Sequence, residues 1–258
     1  MSGFTAIIQV RRGSSRFRDK VLKKIMYKPL LYHEIRRLQR SRLVSSIVVA
    51  TTEQSEDKVL KKICDLTNVN IFYGNTHDVL DRYYNAARNF NLENIVRITA
   101  DCPVIDPKII DEAISKFIKE GVDYLNNCSI RTFPEGMSVE VFRFETLEKA
   151  WKESLWSSER EHVTPYIWKN ADKFSQAVLL NPNGNQSDIR LTIDYPKDLI
   201  LIRKIYRSLF PMNPYFGLDD IIELINQFPD LKDINNDIIK YEGYTKSLRE
   251  DTIVKTKR

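Results

Sequence analysis

The first half of the chain alternates short apolar segments with longer amphipathic ones, and this alternation restricts the fold more than any other feature. Short, mainly apolar runs occur at residues 4–9, 46–51 and 94–100, and runs of this length are typical of buried strands. Segments with helical spacing separate them, and Pro107–Glu120 follows them with a proline in its first turn. Strands that alternate with helices form a mostly parallel sheet covered on both faces. We therefore predict an α/β fold that binds ligands beyond the carboxyl ends of its strands.

The second half of the chain is less regular. A further strand is predicted at residues 190–194, close to several loop-forming segments. Because no low-complexity linker or repeat divides the chain, one domain is predicted for residues 1–245, with an insertion at about 131–175. Residues 246–258 are predicted to form a polar C-terminal tail.

The composition excludes several classes of protein. Of 258 residues, 42% are hydrophobic and 29% are charged, so the chain can bury a sizeable core. No apolar stretch reaches the ~18 residues that span a bilayer, and the N-terminus lacks the pattern of a secretion signal. The three cysteines and three histidines are not spaced as zinc ligands or as a disulfide framework. We expect a cytoplasmic protein that does not bind a membrane.

Basic residues are concentrated just after the first predicted strand, although the net charge is only +5. Between residues 11 and 24 the chain carries seven arginines and lysines and a single acidic residue, Asp19. Such a cluster suits a nucleic acid or a small phosphate compound, and a solvated basic surface is the alternative. Nucleic-acid binding rests on this cluster alone, because aromatic residues at the spacing of a recognition motif are lacking. We therefore expect no nucleic-acid partner.

The loop after the first strand has the side chains of a phosphate-binding site without the usual glycine pattern. Its single glycine, Gly13, excludes both the Walker A loop and the dinucleotide-binding loop. One guanidinium group can bind two phosphate oxygens at once, and lysine adds a compact positive charge. The loop is therefore predicted to bind phosphate, and an exposed basic loop is the alternative. The candidate phosphate ligands are Arg11, Ser14, Ser15, Arg16 and Lys20.

The pattern Arg-x-Thr-x-Asp occurs twice, at residues 97–101 and 190–194, each time at the end of a predicted strand. Because side chains alternate along a strand, the three polar residues of each copy lie on one face. Polar side chains in buried strands need a partner or a ligand, and adjacent strand ends would bring Asp101 and Asp194 together. Two carboxylates suit Mg²⁺, which also binds substrate phosphates. The alternative is a pair of buried Arg–Asp ion pairs with a purely structural role.

Five segments in order resemble the cytidylyltransferases that activate sugar acids. They are most similar to the spore-coat polysaccharide biosynthesis cytidylyltransferase family, which is related to the CMP-Kdo and CMP-nonulosonate synthetases. The resemblance implies a nucleotide-diphospho-sugar transferase fold, GT-A-like and Rossmann-like, with a mixed, mostly parallel sheet flanked by helices. It also implies transfer of CMP from CTP to an acceptor for surface polysaccharide biosynthesis, with release of pyrophosphate. The five segments are residues 9–20, 78–83, 97–103, 158–166 and 190–194.

The resemblance implies roles for individual residues. The catalytic group would be Lys20, Arg11, Asp101 and Asp194, and the two aspartates would bind Mg²⁺. The nucleotide CTP would contact Arg11, Gly13, Ser14, Arg16, Lys20, Thr51, Asp81 and Arg82. The acceptor would contact Arg97, Tyr124, Asn127, Glu135, Gly136, Glu140, Glu161, His162, Arg190 and Thr192. A homodimer formed through the insertion is implied as well.

One departure from the family pattern lies in the first loop, where Phe17-Arg18-Asp19 replaces the usual Leu-Pro-Gly. Losing proline and glycine changes the stiffness and the allowed backbone angles of the loop, and Asp19 adds an anion beside the implied triphosphate. This change keeps a second hypothesis open, a catalytically weakened nucleotide-binding protein with a regulatory or scaffold role. The acceptor is also open among a 2-keto-3-deoxy sugar acid, a nonulosonate and a sugar or polyol phosphate.

Overall fold

Strands and helices alternate along the computed structural model, which describes residues 3–14, 16–240 and 242–254. In chain order the strands are β1 (Phe4–Gln9), β2 (Lys24–Ile25), β3 (Lys28–Pro29), β4 (Val44–Thr52), β5 (Asn70–Gly74), β6 (Asn94–Thr99), β7 (Tyr124–Asn126), β8 (Glu140–Arg143) and β9 (Gln176–Val178). The helices are α1 (Leu30–Leu38), α2 (Leu60–Thr67), α3 (Val79–Asn89), α4 (Pro107–Glu120), α5 (Phe144–Glu153), α6 (Ser157–His162), α7 (Pro165–Lys169), α8 (Pro196–Leu209), α9 (Leu218–Gln227), α10 (Asp230–Asp233) and α11 (Glu242–Arg249).

Seven strands form one mixed sheet in the order β5-β4-β1-β6-β8-β7-β9, and β2 pairs with β3 in a separate hairpin. Strands β5, β4, β1 and β6 are parallel neighbours, whereas β8 is antiparallel to both β6 and β7. The register places Gln9 opposite Ala50 on one side and Thr99 on the other. The carboxyl ends of β1, β4 and β6 therefore lie at one edge of the sheet, and the predicted mixed, mostly parallel sheet is confirmed.

Hydrophobic clusters cover both faces of the sheet. Alternate residues of β1 point to opposite sides, so Ala6 and Ile8 belong to one cluster and Ile7 belongs to the other. The first cluster includes residues of α1, α4, α8 and α9, and the second includes residues of α3, α5 and α7. In the described part of the chain, no helix is both long and apolar enough to cross a membrane.

Residues 190–194 do not form the predicted strand. Arg190 makes an isolated parallel bridge with Glu135, and the Leu191 amide donates a hydrogen bond to the Glu135 carbonyl at 2.7 Å. The Ile193 amide then donates to the Asp101 carbonyl at 2.9 Å. Because the backbone of this segment bonds to two loops in turn, it does not extend the ladder of the sheet.

The end of the chain also differs from the prediction. Helix α11 runs across the predicted boundary between residues 245 and 246, and the segment after it pairs with the chain just before α6. In this pairing the Val254 amide donates to the Leu155 carbonyl at 2.7 Å. Residues 242–254 are therefore folded onto the domain, although their polar composition predicted a tail.

Candidate active site

The two aspartates of the repeated pattern meet at one lysine. The Nζ atom of Lys20 donates hydrogen bonds to Asp101 Oδ2 at 2.9 Å and to Asp194 Oδ1 at 2.8 Å. Asp101 follows β6, and Asp194 lies two residues before α8, so both carboxylates reach the sheet edge where β1 and β6 end. Sequence reasoning predicted that these aspartates would converge, and the structure brings them together.

Positive charge surrounds Asp194 on several sides. Arg16 donates to Asp194 Oδ1 at 2.6 Å, and Arg190 donates to Asp194 Oδ2 at 3.2 Å. Burial acts to raise the pKa of Asp194, but Lys20 and Arg16 outweigh it and hold that pKa well below its ordinary value. Burial likewise opposes the charge of Lys20, but the two aspartates raise the pKa of its ammonium group. Lys20 and Asp194 are therefore both ionised near neutral pH.

The arrangement suits a divalent cation whose ligands come partly from the protein and partly from a substrate. The carboxylate oxygens of Asp101 and Asp194 point to one position, which the ammonium group of Lys20 occupies. Among the described residues, no group of three or more His, Cys, Asp or Glu is placed to hold a metal ion. A cation here would take two protein carboxylates and complete its shell with phosphate oxygens and water, a coordination typical of Mg²⁺.

The first loop accommodates its departure from the family pattern. Asp19 has a φ of 59°, in the left-handed region that glycine adopts most readily and that aspartate tolerates. The Nε atom of Arg12 donates to Asp19 Oδ1 at 2.7 Å, and the same guanidinium group lowers the pKa of Asp19. The backbone conformation that glycine favours is thus kept, and the added carboxylate is paired with Arg12.

The other predicted phosphate ligands sit at the surface of this loop. Arg11 and Gly13 are exposed, and the Oγ atom of Ser14 accepts a hydrogen bond from the Phe17 amide at 3.5 Å. Ser15 lies outside the described residues. The loop therefore presents Arg11 and the backbone of Gly13 to solvent, whereas Arg16 of the same loop bonds to Asp194.

Two cavities lie beside α3, and the smaller one also borders the first loop. One has a volume of about 360 Å³ and brings together Gln9, Val10, Arg11, His77, Val79, Arg82, Ser157, Glu161 and His162. The other, about 850 Å³, lies at the carboxyl ends of β4 and β5, and Asp81 and His77 are among its lining residues. The predicted nucleotide residues Asp81 and Arg82 thus reach cavities. Thr51 is fully buried in β4, and its Oγ1 atom has no hydrogen-bond partner among the described residues.

Burial shapes the charge of the smaller cavity. Arg82 is only 2% exposed, and burial lowers its pKa to about 10. Burial also lowers the pKa of His162 to about 4, so the imidazole is neutral at pH 7. The Nε2 atom of His162 lies 2.9 Å from Ser247 Oγ. The cavity therefore combines a neutral imidazole with two arginines, Arg11 and Arg82.

Several predicted acceptor residues bond to one another inside the fold. The Glu140 carboxylate accepts hydrogen bonds from Arg97, Tyr124 and Thr164. Asn127 is buried and bonds to the backbone of residues 137 and 139. These side chains therefore link β6, β7, β8 and the loop before β8 to one another.

Arg190, Thr192 and Gly136 hold the two aspartate-bearing segments together. Arg190 donates to Asp198 at 2.9 Å and to Glu135 at 2.7 Å, and Thr192 Oγ1 donates to the Asp101 carbonyl at 3.2 Å. Gly136 has a φ of 103°, and a Cβ there would lie 2.7 Å from the backbone at residues 191 and 192. Only glycine allows this close approach. These contacts fix the position of the segment 190–194 relative to Asp101.

Sequence reasoning missed two sets of residues around the site. Asp198 accepts hydrogen bonds from Arg190 and from the amides of Asp194 and Tyr195. Its place two residues after Pro196, in the first turn of α8, is the one signal that could have marked it. The second set belongs to α11, where Glu242 and Ser247 carry no motif.

Residues 5–233 match the cytidylyltransferase family, and the chain belongs to that family. It is therefore an enzyme, a CTP-dependent nucleotidyltransferase. This confirms the resemblance deduced from the five segments.

Individual relatives span nearly the whole chain. The chain is 38% identical over 233 residues to the uncharacterized protein MJ1063 of Methanocaldococcus jannaschii, covering 90% of this chain and 94% of that protein. It is 29% identical over 236 residues to the spore coat polysaccharide biosynthesis protein SpsF of Bacillus subtilis, covering 89% and 97%. A solved cytidylyltransferase from Leptospira borgpetersenii superposes with a TM-score of 0.86 at 32% identity, covering 93% of this chain and all of that one.

Proposed function

We propose that this enzyme transfers CMP from CTP to an acidic sugar or to a sugar or polyol phosphate, in a Mg²⁺-dependent reaction that releases pyrophosphate. The supporting observation is the convergence of Asp101 and Asp194 on Lys20, beside a loop that exposes Arg11. The product would serve the biosynthesis of a surface polysaccharide in the cytoplasm, by analogy with the spore-coat relative. A 2-keto-3-deoxy sugar acid and a nonulosonate are the acidic sugars that we favour.

Nucleotidyl transfer needs positioning and charge neutralisation more than covalent help from the protein. A cation bound by Asp101 and Asp194 would neutralise charge on the phosphate oxygens. Lys20 and Arg16 carry positive charge beside these aspartates and would offset the negative charge that the leaving pyrophosphate gains. Arg11, at the rim of the neighbouring cavity, would orient the α-phosphate for in-line attack.

The nucleoside and the acceptor would occupy the cavities beside the loop. Asp81 and Arg82 would border the cytidine, and Thr51 would support that wall from inside the sheet. Glu161 and His162 would face the acceptor. Because two arginines, Arg11 and Arg82, outnumber the one carboxylate, Glu161, in this cavity, an anionic acceptor fits better than a neutral sugar.

The direct test is pyrophosphate release from CTP and Mg²⁺ with a panel of acceptors: 3-deoxy-manno-octulosonate, a nonulosonate and polyol phosphates. We expect one acceptor to support turnover and Asp101→Asn or Asp194→Asn to reduce it by at least about 100-fold. Asp188→Asn is the matched control, because Asp188 lies two residues before Arg190 and its ion pair in the described part of the chain is with Lys232 at the surface. Full activity of both site variants would refute the metal assignment. Stabilisation by CTP without turnover on any acceptor would favour the weakened nucleotide-binding alternative.

We also propose that two copies associate through the insertion. Leu155 and Trp156 expose 46% and 43% of their surface there, and with the exposed Ile253, which pairs with Trp156, they form an apolar patch of the kind that marks a protein contact. Light scattering should give the mass of a dimer. A monomeric mass at micromolar concentration would contradict the proposal.

A further inference from the structure

The C-terminal segment, residues 242–254, contacts both sides of the candidate active site. It comprises α11 and the short extended stretch that pairs with the chain before α6. These residues lie beyond the stretch 5–233 that matches the family. The family match therefore assigns them no role.

The first end of the segment lies against the aspartate side of the site. The hydroxyl group of Tyr195, the residue after Asp194, donates a hydrogen bond to Glu242 Oε2 at 2.5 Å. Gly243 lies so close to Arg16 that a Cβ there would be 3.2 Å from its Nη1 atom. The start of α11 thus contacts Arg16, which bonds to the Asp194 carboxylate, and Tyr195, which follows Asp194 in the chain.

The second end of the segment lies against the cavity side. Ser247 Oγ donates to Glu161 Oε2 at 2.8 Å and lies 2.9 Å from His162 Nε2. The ring of Tyr244 packs edge-on against the His162 ring, with 5.0 Å between their centroids. Since Glu161 and His162 line the cavity that also contains Arg11, α11 joins the wall of the cavity to the aspartates.

The anchoring of the segment is uneven. Asp251 accepts three hydrogen bonds at 2.7–2.9 Å from Ser157 and Ser158, at the start of α6. The contacts of α11 with Tyr195 and His162 are one hydrogen bond each and the edge-on packing of the Tyr244 ring on His162, and Leu248 on the same helix is 44% exposed. A segment with few buried apolar contacts opens at low cost, whereas the anchor at Asp251 keeps it in reach of the site.

We propose that the C-terminal segment closes the cleft over the bound nucleotide, with Glu242 and Ser247 as positioning residues for Tyr195 and His162. The inference rests on the proposed function, because it takes the cleft to be the CTP site. Opening of α11 admits the nucleotide, and renewed contact of its two ends with Tyr195 and His162 retains it.

The test uses Mg²⁺ and a fluorescent CTP analogue, whose release is followed by stopped flow after a chase with unlabelled CTP. A chain that ends at Lys240 should release the analogue at least about tenfold faster than the full chain, and Ser247→Ala and Glu242→Gln about threefold faster. Ser247→Thr, which keeps the hydroxyl group, should restore slow release. Ser115→Ala is the matched control, because Ser115 also bonds to a carbonyl four residues earlier but lies on α4.

The outcomes separate the two proposals. If the full chain binds the analogue and all variants release it at the parent rate, the closing role of the segment is refuted while the proposed function stands. If the full chain binds no CTP, both proposals fail. If the shortened chain does not fold, judged by circular dichroism, the release rates of the two point variants decide.

Discussion

The two Arg-x-Thr-x-Asp segments bring a carboxylate to the same lysine by different routes. The first belongs to β6 and is held by the central sheet, and its Arg97 bonds to Glu140 and Gln9, away from Asp101. The second has no strand of its own, and its Arg190 pairs with Asp194 directly as well as with Asp198 and Glu135.

This difference shows that one sequence pattern can have two structural bases. In the first segment the sheet fixes the aspartate, and the arginine is free to neutralise Glu140. In the second segment ion pairs hold the aspartate in place instead of the sheet, because Arg190 is only 4% exposed and pairs with three carboxylates. Removal of the arginine from the second segment should therefore destabilise the protein more than its removal from the first.

Removal of each arginine should show the largest difference between the two segments. Arg190→Met leaves Glu135, Asp194 and Asp198 without their shared cation, so we expect a loss of about 3–5 kcal/mol in the free energy of unfolding. Arg97→Met leaves one carboxylate, Glu140, which keeps two hydroxyl donors, so the loss should be smaller. Urea unfolding measures both, with the exposed Arg207→Met as control. Equal losses would contradict the distinction between the two segments.

The aspartates themselves should differ in stability as well. Asp194→Asn loses ionic partners in Lys20, Arg16 and Arg190, and we expect it to cost about 1–3 kcal/mol. Asp101→Asn loses the ion pair with Lys20 but can still accept a hydrogen bond from Thr99. It should therefore cost less than Asp194→Asn in thermal or urea unfolding. A larger cost for Asp101→Asn would show that the sheet does not hold its segment in place.

Lys20 tests whether the two segments share one cation position. In Lys20→Met, Asp101 and Asp194 lose the ammonium group between them, so Mg²⁺ alone should stabilise the variant more than the parent. We expect the midpoint of thermal unfolding to rise by a few degrees, about 2–4 °C for each kcal/mol of binding. Lys197→Met, at an exposed ion pair, is the control. An identical response of parent and variant to Mg²⁺ would count against a shared position.

The smallest effect that we expect is a loss, in acid, of the stability that ionised Asp194 contributes to the folded protein. Burial opposes ionisation of Asp194, but Lys20 and Arg16 lower its pKa below 3.8 in the folded state. The resulting stabilisation is full above that value and is lost as the pH falls through the lower folded pKa. The difference in unfolding free energy between parent and Asp194→Asn should therefore be constant from pH 7 to about 5 and shrink by about 1 kcal/mol towards pH 3. A difference independent of pH would exclude this charge effect.

Much of the fold was predictable because its elements follow local rules. Apolar strands and amphipathic helices such as Pro107–Glu120 and Pro196–Leu209 lie where periodicity and a leading proline place them. The meeting of Asp101 and Asp194 was predictable from the repeated pattern, since each copy ends in an aspartate two residues before a proline, although only the first copy lies on a strand.

The remaining features depend on contacts between distant residues. Residues 190–194 have the alternation of a strand, but their backbone partners are loops that only the folded chain brings near. Helix α11 has little apolar character, and its position is set by side chains such as Ser247 and Tyr195, whose partners lie far away in sequence. Polar contacts of this kind leave no periodic trace in the sequence.

The most direct test of the central claim is a crystal structure with CTP and Mn²⁺, in which anomalous scattering locates the metal. We predict one strong peak about 2.1 Å from a carboxylate oxygen of both Asp101 and Asp194, with phosphate oxygens of CTP completing its coordination. A metal bound with the nucleotide elsewhere in the cleft, touching neither aspartate, would contradict the account.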